Sequence, residues 1–253
     1  MLAAQLYTVR KYAQTIPDIA ETLRKISDIG YKTIQISALG PVDLKKVAKL
    51  VEDNELLVVG THTDWDRLLN KLDDVIAEYK MWGCSHAAIG GLFDPKYCSL
   101  KGLKQFMSEL GPVSEKLAKE GIDFSYHNHN HELMRYGKKT WLEMLYEQAS
   151  PEMLKAEIDV YWIQAGGGDP TVWIRKCAGR EPLLHLKDMT VGPGRQQRFA
   201  EIGEGNMNWP TIIQAAKESG VEWYIVEQDE CYERDPFESL AISYHNLQSM
   251  GLN

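Results

Sequence analysis

The sequence predicts a single-domain α/β fold, a (β/α)8 TIM barrel spanning residues 1–253, and three observations carry that expectation. Short apolar runs alternate with longer amphipathic ones along the whole chain, the pattern of repeated βα units on a parallel sheet. The count reaches eight of each, in a chain close to the roughly 250 residues such a barrel takes. No Gly-x-Gly-x-x-Gly follows the first strand, which weighs against an open doubly wound sheet, the main rival.

Taken in order, Leu2 to Tyr7 reads as the first strand and Ile16 to Ile29 as its helix, with Ile19, Leu23 and Ile26 on one face and Gly30 as the stop. Thr33 to Ser37 is the second strand, and Val42 to Asn54 the second helix, with Pro41 near its first turn. Leu57 to Gly60 is the third, ending in Thr61-His-Thr-Asp-Trp65, where Asp64 can cap a helix running to about Met81. The fourth strand is short, His86 to Ile89, and closes on Gly90-Gly91; a helix from about Leu100 to Glu120 comes next. The fifth begins at Gly121-Ile-Asp-Phe-Ser125, and a helix near Thr140 to Gln148 comes after it. Leu154 to Asp159 is the sixth, followed by a glycine-rich loop to Pro170, which starts a helix. Leu183 to Leu186 is the seventh, with a long loop from Lys187 to Met207 and a helix after Trp209-Pro210. Trp223 to Glu227 is the eighth, and the last helix runs from about Pro236 to Met250.

Composition narrows the function classes. Hydrophobic residues at 44% and charged residues at 25% supply a real core. No run approaches the roughly 18 apolar residues of a membrane span, and the N-terminus lacks the order of a signal peptide, so the cytoplasm is the expected compartment and no membrane partner is expected. A net charge of -8 without clustered Lys and Arg argues against nucleic acid. The four cysteines, Cys84, Cys98, Cys177 and Cys231, are widely spaced and read as free thiols, with Cys231 close to the eighth strand.

The chemistry collects at strand ends. Ser125-Tyr-His-Asn-His-Asn-His-Glu132 packs three imidazoles and a carboxylate into eight residues, and the period of two puts His127 and His129 on the face opposite Ile122, Phe124 and Tyr126. Asp159 closes the sixth strand, His185 lies in the seventh and Glu227 ends the eighth, and in a barrel these ends converge on one mouth. Carboxylates plus imidazole without thiolate suit Mn²⁺ or Mg²⁺, with Co²⁺ or Zn²⁺ as further options. Lys187, two residues beyond His185, points into the same mouth, unless it is a surface lysine paired to Asp188 or Glu201. His62 closes the third strand within reach of a substrate, and Trp162 and Trp65 offer flat apolar faces for a ligand's C–H groups. Glu201 and Glu204 lie in a loop that could cover the mouth. His86, at a strand start, and His245, in the last helix, read as structural.

The stretches Leu2-Ala-Ala-Gln-Leu-Tyr-Thr-Val-Arg10, Tyr126-His-Asn-His-Asn-His-Glu132, Ile158-Asp-Val-Tyr-Trp-Ile-Gln-Ala-Gly-Gly167, Leu183-Leu-His-Leu-Lys-Asp-Met189, Ala200-Glu-Ile-Gly-Glu-Gly-Asn-Met-Asn-Trp209 and Ile225-Val-Glu-Gln-Asp-Glu230 together resemble a known family. It is the sugar phosphate isomerase/epimerase group of metal-dependent barrels, similar in fold to xylose isomerase and endonuclease IV. The resemblance covers nearly the whole chain and implies one divalent ion held by Glu, Asp, His and Glu from strands five to eight. The last three fall on Asp159, His185 and Glu227. At strand five the usual glutamate position falls on His127, and the nearest carboxylate is Glu132. Either His127 ligates the ion or the loop folds back to bring Glu132 in; hard divalent ions prefer oxygen, so the expected set is Glu132, Asp159, His185 and Glu227.

The resemblance implies an isomerase or epimerase of a keto-sugar or related polyol, with Mn²⁺ as the expected ion and, in related epimerases, two metal-bound glutamates as the acid/base pair. Removing a proton beside a sugar carbonyl develops an enediolate, which a divalent ion stabilises. Glu227, Glu132, His127 and His129 are the candidates for moving that proton, and Lys187, His62 and Trp162 for binding substrate. If His127 replaces a glutamate, a lyase expelling water or an aglycone by the same enolate chemistry gains ground. An AP-endonuclease-like enzyme would need more histidines and a basic groove, and a non-catalytic sugar-binding barrel would keep its ligand after metal stripping. Neither the substrate's phosphorylation nor assembly as a homo-oligomer is legible in the residues.

Overall fold

The eight apolar runs pair side by side and close on themselves. A computed structural model describes residues 1–252. Eight parallel strands, Leu2–Gln5, Thr33–Ile36, Leu57–His62, His86–Ile89, Asp123–His127, Lys155–Asp159, Leu183–Leu186 and Trp223–Val226, succeed one another in chain order, and the first pairs with both the second and the eighth. Helices cover the outside. No helix among the described residues is long and apolar enough to cross a membrane.

Because side chains alternate across a strand, each strand sends one set under the helices and the other into the barrel. Ile34, Ile158, Leu184 and Val226 face outward into the main apolar core. Inward, Ala3, Val59, Leu183 and Ile225 form a small separate apolar layer near the strand starts. Two residues further along the same strands the inward positions turn polar, to Gln5, His185 and Glu227, and the barrel interior above that layer carries charge. Gln35 joins this layer from the second strand, where a register shift against the third strand opens between Ile34 and Gln35. Gly60 makes the room: a Cβ there would come 3.0 Å from Gln35 Nε2.

Several boundaries move for local reasons. The first strand stops at Gln5, whose side chain accepts the Tyr7 N–H and starts a short 3₁₀ helix, Leu6–Tyr12. The helix expected through Met81 breaks at Lys71 into Trp65–Asn70 and Leu72–Met81. The glycine-rich segment after Asp159 holds a short helix, Val160–Ala165, before the one that begins at Pro170. The loop from Lys187 to Met207 folds into an antiparallel hairpin, Asp188–Val191 with Gln197–Ala200. Asp188 anchors the turn beyond that hairpin: its buried carboxylate accepts N–H groups from Gly203, Gly205 and Met207 and the Trp209 indole N–H at 2.6 Å.

One buried group below the sheet makes stability depend on pH. Glu181, 3% exposed, accepts the Ile158 N–H with Oε1 and leaves Oε2 without a partner. Burial pushes its carboxyl well above the usual range. The folded chain therefore holds this proton more tightly than the unfolded chain. The group's contribution is greatest below the unfolded value and falls by about 1.4 kcal/mol per pH unit as pH climbs towards the folded one. Glu181→Gln keeps the acceptor and removes the charge. It is expected to be about 1–3 kcal/mol more stable than the parent at pH 8, with the gap closing by pH 4, in urea unfolding followed at both pH values.

A candidate metal centre at the barrel mouth

The strand register decides which side chains meet. Asp159 lies opposite His185 and His127 opposite Glu157 on neighbouring strands, so adjacent inward positions stack at one end of the barrel. Four donors from four consecutive strands, His127, Asp159, His185 and Glu227, bring one ligand atom each within 4.8 Å of one another, and all four residues are buried. A cation with bonds of about 2.1–2.4 Å spans ligand atoms up to about 4.8 Å apart, so this spacing suits one ion.

Asp159 does two jobs at once. Its Oδ1 accepts the Trp162 N–H at 3.0 Å and caps the helix Val160–Ala165, which fixes the carboxylate's orientation. Its Oδ2 is buried without a hydrogen bond, 3.1 Å from Lys187 Nζ and 3.7 Å from His127 Nε2. His185 is fully buried with Nδ1 2.9 Å from Glu227 Oε2 and Nε2 2.9 Å from Glu157 Oε1. Lys187, 2% exposed, lies 2.6–3.1 Å from Asp229, Glu227 and Asp159.

The charges respond to this crowding. Burial pushes the Asp159 carboxyl up to about 6, offset only in part by Lys187 and His185. Burial acts the same way on Glu157, but His62 and His185 outweigh it and hold that carboxyl down at about 2. Burial would raise Glu227 as well, yet Lys187 and His185 hold it well below the usual carboxylate range. Burial would discharge His185, while Glu157 and Glu227 raise it to about 9. His127 and His129 stay neutral: burial lowers both, reinforced by His185 for the first and Lys187 for the second.

Two buried carboxylates balance a divalent cation; His127 Nδ1 is a buried polar atom without a partner, and Asp159 Oδ2 accepts no hydrogen bond and has only the Lys187 ammonium, at 3.1 Å, as an ion-pair partner. The donor set thus fits an ion on charge, spacing and unmet hydrogen bonding. A cavity of about 580 Å³ opens above it, lined by Tyr7, His62, His129, Lys187, Glu227 and Asp229 among others. Gly90 keeps His62 in place, since a Cβ there would come 2.7 Å from its Nδ1.

The structure gathers some expected residues and sets others apart. Glu132 is outside the four-donor group. A 3₁₀ turn, His131–Leu133, carries it back beneath the fifth strand, where its oxygens accept the Tyr126 hydroxyl at 2.8 Å and the His129 N–H at 2.9 Å. His127 stands at that corner instead, and Glu132 orients the segment carrying His129. Trp162 lies behind His129, with ring centroids 5.1 Å apart, and is not a lining residue of the cavity. Trp65 does line it, although its indole N–H is directed to Tyr97 and Glu109. Lys187 is not a surface lysine. Glu201 and Glu204 are tied to Arg234 and border a neighbouring cavity together with Cys231. His86 sits at the opposite end of the barrel, 4.0 Å from Asp123.

Glu157, Asp229 and Gln35 join the site without having been expected from sequence. For the first two a signal was present: counting back two from Asp159 and on two from Glu227 gives inward-facing carboxylates. Gln35 carries no such mark.

Comparison with known proteins places this geometry in a fold family. Residues 23–242 match the family model described as xylose isomerase-like TIM barrel. A search of curated proteins returns no match. Among solved structures, a sugar phosphate isomerase/epimerase from Parabacteroides distasonis is 23% identical, with a TM-score of 0.79 over 98% of this chain and 93% of that one. L-ribulose 3-epimerase is 16% identical, with a TM-score of 0.76 over 98% and 93%. An AP endonuclease, family 2, from Brucella melitensis is 18% identical, with a TM-score of 0.68 over 95% and 96%. At these identities the likeness is one of fold.

Proposed function

The chain belongs to the xylose isomerase-like TIM barrel family, and from that premise we propose that it is a divalent-metal-dependent isomerase or epimerase of an uncharged keto-sugar or related polyol. One observation carries this reading: four metal-competent side chains from strands five to eight meet beside a cavity large enough for a monosaccharide, and two of them, His127 and Glu227, line it. His127, Asp159, His185 and Glu227 would hold the ion. Mn²⁺ remains the expected metal, and the second imidazole brings Co²⁺ and Zn²⁺ closer to it than an all-oxygen set would.

When bound, a divalent ion supplies positive charge against the enediolate that forms as a proton leaves the carbon beside the sugar carbonyl. Glu227, held ionised, and His129, held neutral with its Nδ1 unpartnered, both line the cavity in the form that accepts a proton. The Lys187 ammonium borders the same space, and although its N–H groups are taken by carboxylates its charge favours a developing oxyanion through space. His62 and Tyr7 line the wall beside them and bind hydroxyls.

Electrostatics supports an uncharged small molecule. Lys187 and Arg67 are the cationic Lys and Arg side chains that line the cavity; the first is saturated by three carboxylates and the second pairs with Glu78 at 2.6 Å. Neither is left for a phosphate, and the acidic mouth repels a polyanion. The strand-five histidine favours one second reading, a lyase acting on the same class of substrate, because one of the two carboxylate bases of a symmetric epimerisation is replaced by an imidazole.

Incubation of the Mn²⁺-loaded protein with unphosphorylated ketoses in D₂O tests the proposal. Deuterium is expected at the carbon next to the carbonyl, with an epimer or aldose of unchanged mass class, and chelation is expected to abolish both. Loss of water or aglycone would establish the lyase, and turnover of phosphorylated sugars alone would overturn the uncharged substrate.

A further inference from the structure

Below the four donors runs a ladder of fully buried polar side chains, in a barrel interior that branched apolar residues usually fill. Gln5 Nε2 donates to Gln35 Oε1 at 2.7 Å, and Gln35 Nε2 donates to Glu157 Oε1. His185 Nε2 lies 2.7 Å from Gln35 Oε1 and 2.9 Å from Glu157 Oε1. The other Glu157 oxygen is 3.2 Å from His62 Nε2. Gln5, Gln35, Glu157 and His185 are each 0% exposed. His62, His127, Glu157 and His185 also bring ligand atoms within 4.8 Å of one another, a second group that could hold a metal ion. The ladder is therefore either a second ion site or the support of the first.

The hydrogen-bond chain decides between them. A carboxylate only accepts, so Gln35 must turn its NH₂ to Glu157 Oε1; the flipped amide would set two oxygens against each other. Gln35 Oε1 then faces His185 Nε2, which meets two acceptors and no donor. That nitrogen must carry a proton, and a protonated ring nitrogen has no lone pair for a metal. Nδ1 also faces a carboxylate oxygen, Glu227 Oε2 at 2.9 Å, but Glu227 is itself one of the four donors, so an ion seated between the two takes the place of the Nδ1 proton and Nδ1 is the nitrogen left to bind.

We infer that Glu157, backed by Gln35 and Gln5, is a positioning residue for the metal centre. It holds His185 as the Nε2–H tautomer, aims Nδ1 at the ion, and limits the mouth to one ion per chain. A carboxylate behind a metal-bound imidazole raises the ring's basicity and fixes its rotation, and loss of such a partner commonly weakens metal affinity about 10–100-fold. The inference rests on the metal centre proposed above but not on the reaction assigned to it.

The test uses the whole protein loaded with Zn²⁺, which is diamagnetic. Long-range ¹H–¹⁵N correlation on the unaltered chain is expected to show His185 protonated at Nε2 and metal-bound at Nδ1. Metal analysis is expected to give one ion per chain, and Glu157→Gln to raise the Zn²⁺ Kd about 10–100-fold in chelator competition, with unchanged far-ultraviolet circular dichroism. Two ions per chain, coordination through Nε2, or a folded Glu157→Gln with parental affinity would each overturn the inference. Should that variant not fold, the spectrum and stoichiometry of the unaltered protein decide the matter alone. A folded parent that binds no ion would overturn the metal centre itself and this inference with it, whereas metal binding without ketose turnover would overturn only the assigned reaction.

Discussion

Asp159→Asn is expected to yield a folded protein with little or no bound divalent metal and turnover lower by roughly 10³-fold, the equivalent of about 4 kcal/mol of lost transition-state stabilisation. Asparagine is the informative replacement because Asp159 serves two structures. Its Oδ1 caps the helix Val160–Ala165 through the Trp162 N–H, and an amide oxygen can keep that bond. Its Oδ2 faces the other donors without a hydrogen bond, and an NH₂ there cannot coordinate. Asp159→Ala removes both and should add about 1 kcal/mol of destabilisation to the same loss of metal. Metal content by elemental analysis and turnover, set beside thermal melts of both variants, separate the two roles. Full metal content in the asparagine variant would remove Asp159 from the ligand set.

That carboxylate was legible because position alone marks it: a polar residue at the end of an apolar run, in step along the sequence with its partners on the neighbouring strands. The same logic reached His185 and Glu227, and the alternation of short and long apolar runs was enough for the eight strands. It failed where tertiary packing overrides periodicity. Nothing local says that His131–Leu133 makes a 3₁₀ turn returning Glu132 to the Tyr126 hydroxyl, so the chemical preference of hard ions for oxygen pointed to a residue that the fold sets outside the four-donor group. Glu157 was hidden for a different reason: one strand carries two inward carboxylates, and only the one at the strand's end bears the positional mark of a barrel mouth. Gln35 owes its place to the register shift beside Gly60, which only strand pairing reveals.

The polar ladder and the mouth together alter what the barrel must balance. Glu157, Asp159, Glu227 and Asp229 place four carboxylates in one buried region, against Lys187 and the imidazoles. Such a cluster is costly unless each charge has a partner. Without an ion, the Lys187 ammonium and a protonated His185 are the countercharges within the cluster, and both are fixed to strand seven or its edge. Four carboxylates against these two cations leave two negative charges uncompensated, and that is the physical reason a divalent cation and a lysine can share the region.

Lys187→Met tests that balance directly, and its effects are expected to run in opposite directions. Burial would lower this ammonium's pKa, but Asp159, Glu227 and Asp229 outweigh it and hold the value well above the ordinary lysine range. Methionine keeps most of the length and removes the charge, leaving three carboxylates to repel one another in the buried mouth. The metal-free variant should lose about 3–5 kcal/mol, or roughly 6–20 °C in Tm for a chain of this size. A divalent ion relieves the same repulsion, and the ammonium no longer competes for Asp159 Oδ2 and Glu227 Oε2, its neighbours at 3.1 and 2.8 Å. Metal should therefore bind more tightly than in the parent and restore most of the lost stability, as linkage requires of a ligand that binds the folded state. Turnover should still fall about 10²–10³-fold, because the cation that faces the developing oxyanion is gone. Melts with and without Mn²⁺, a metal titration and ketose turnover measure the three effects on one preparation. A variant that melts like the parent without metal and binds the ion more weakly would show that Lys187 does not share its carboxylates with the cation.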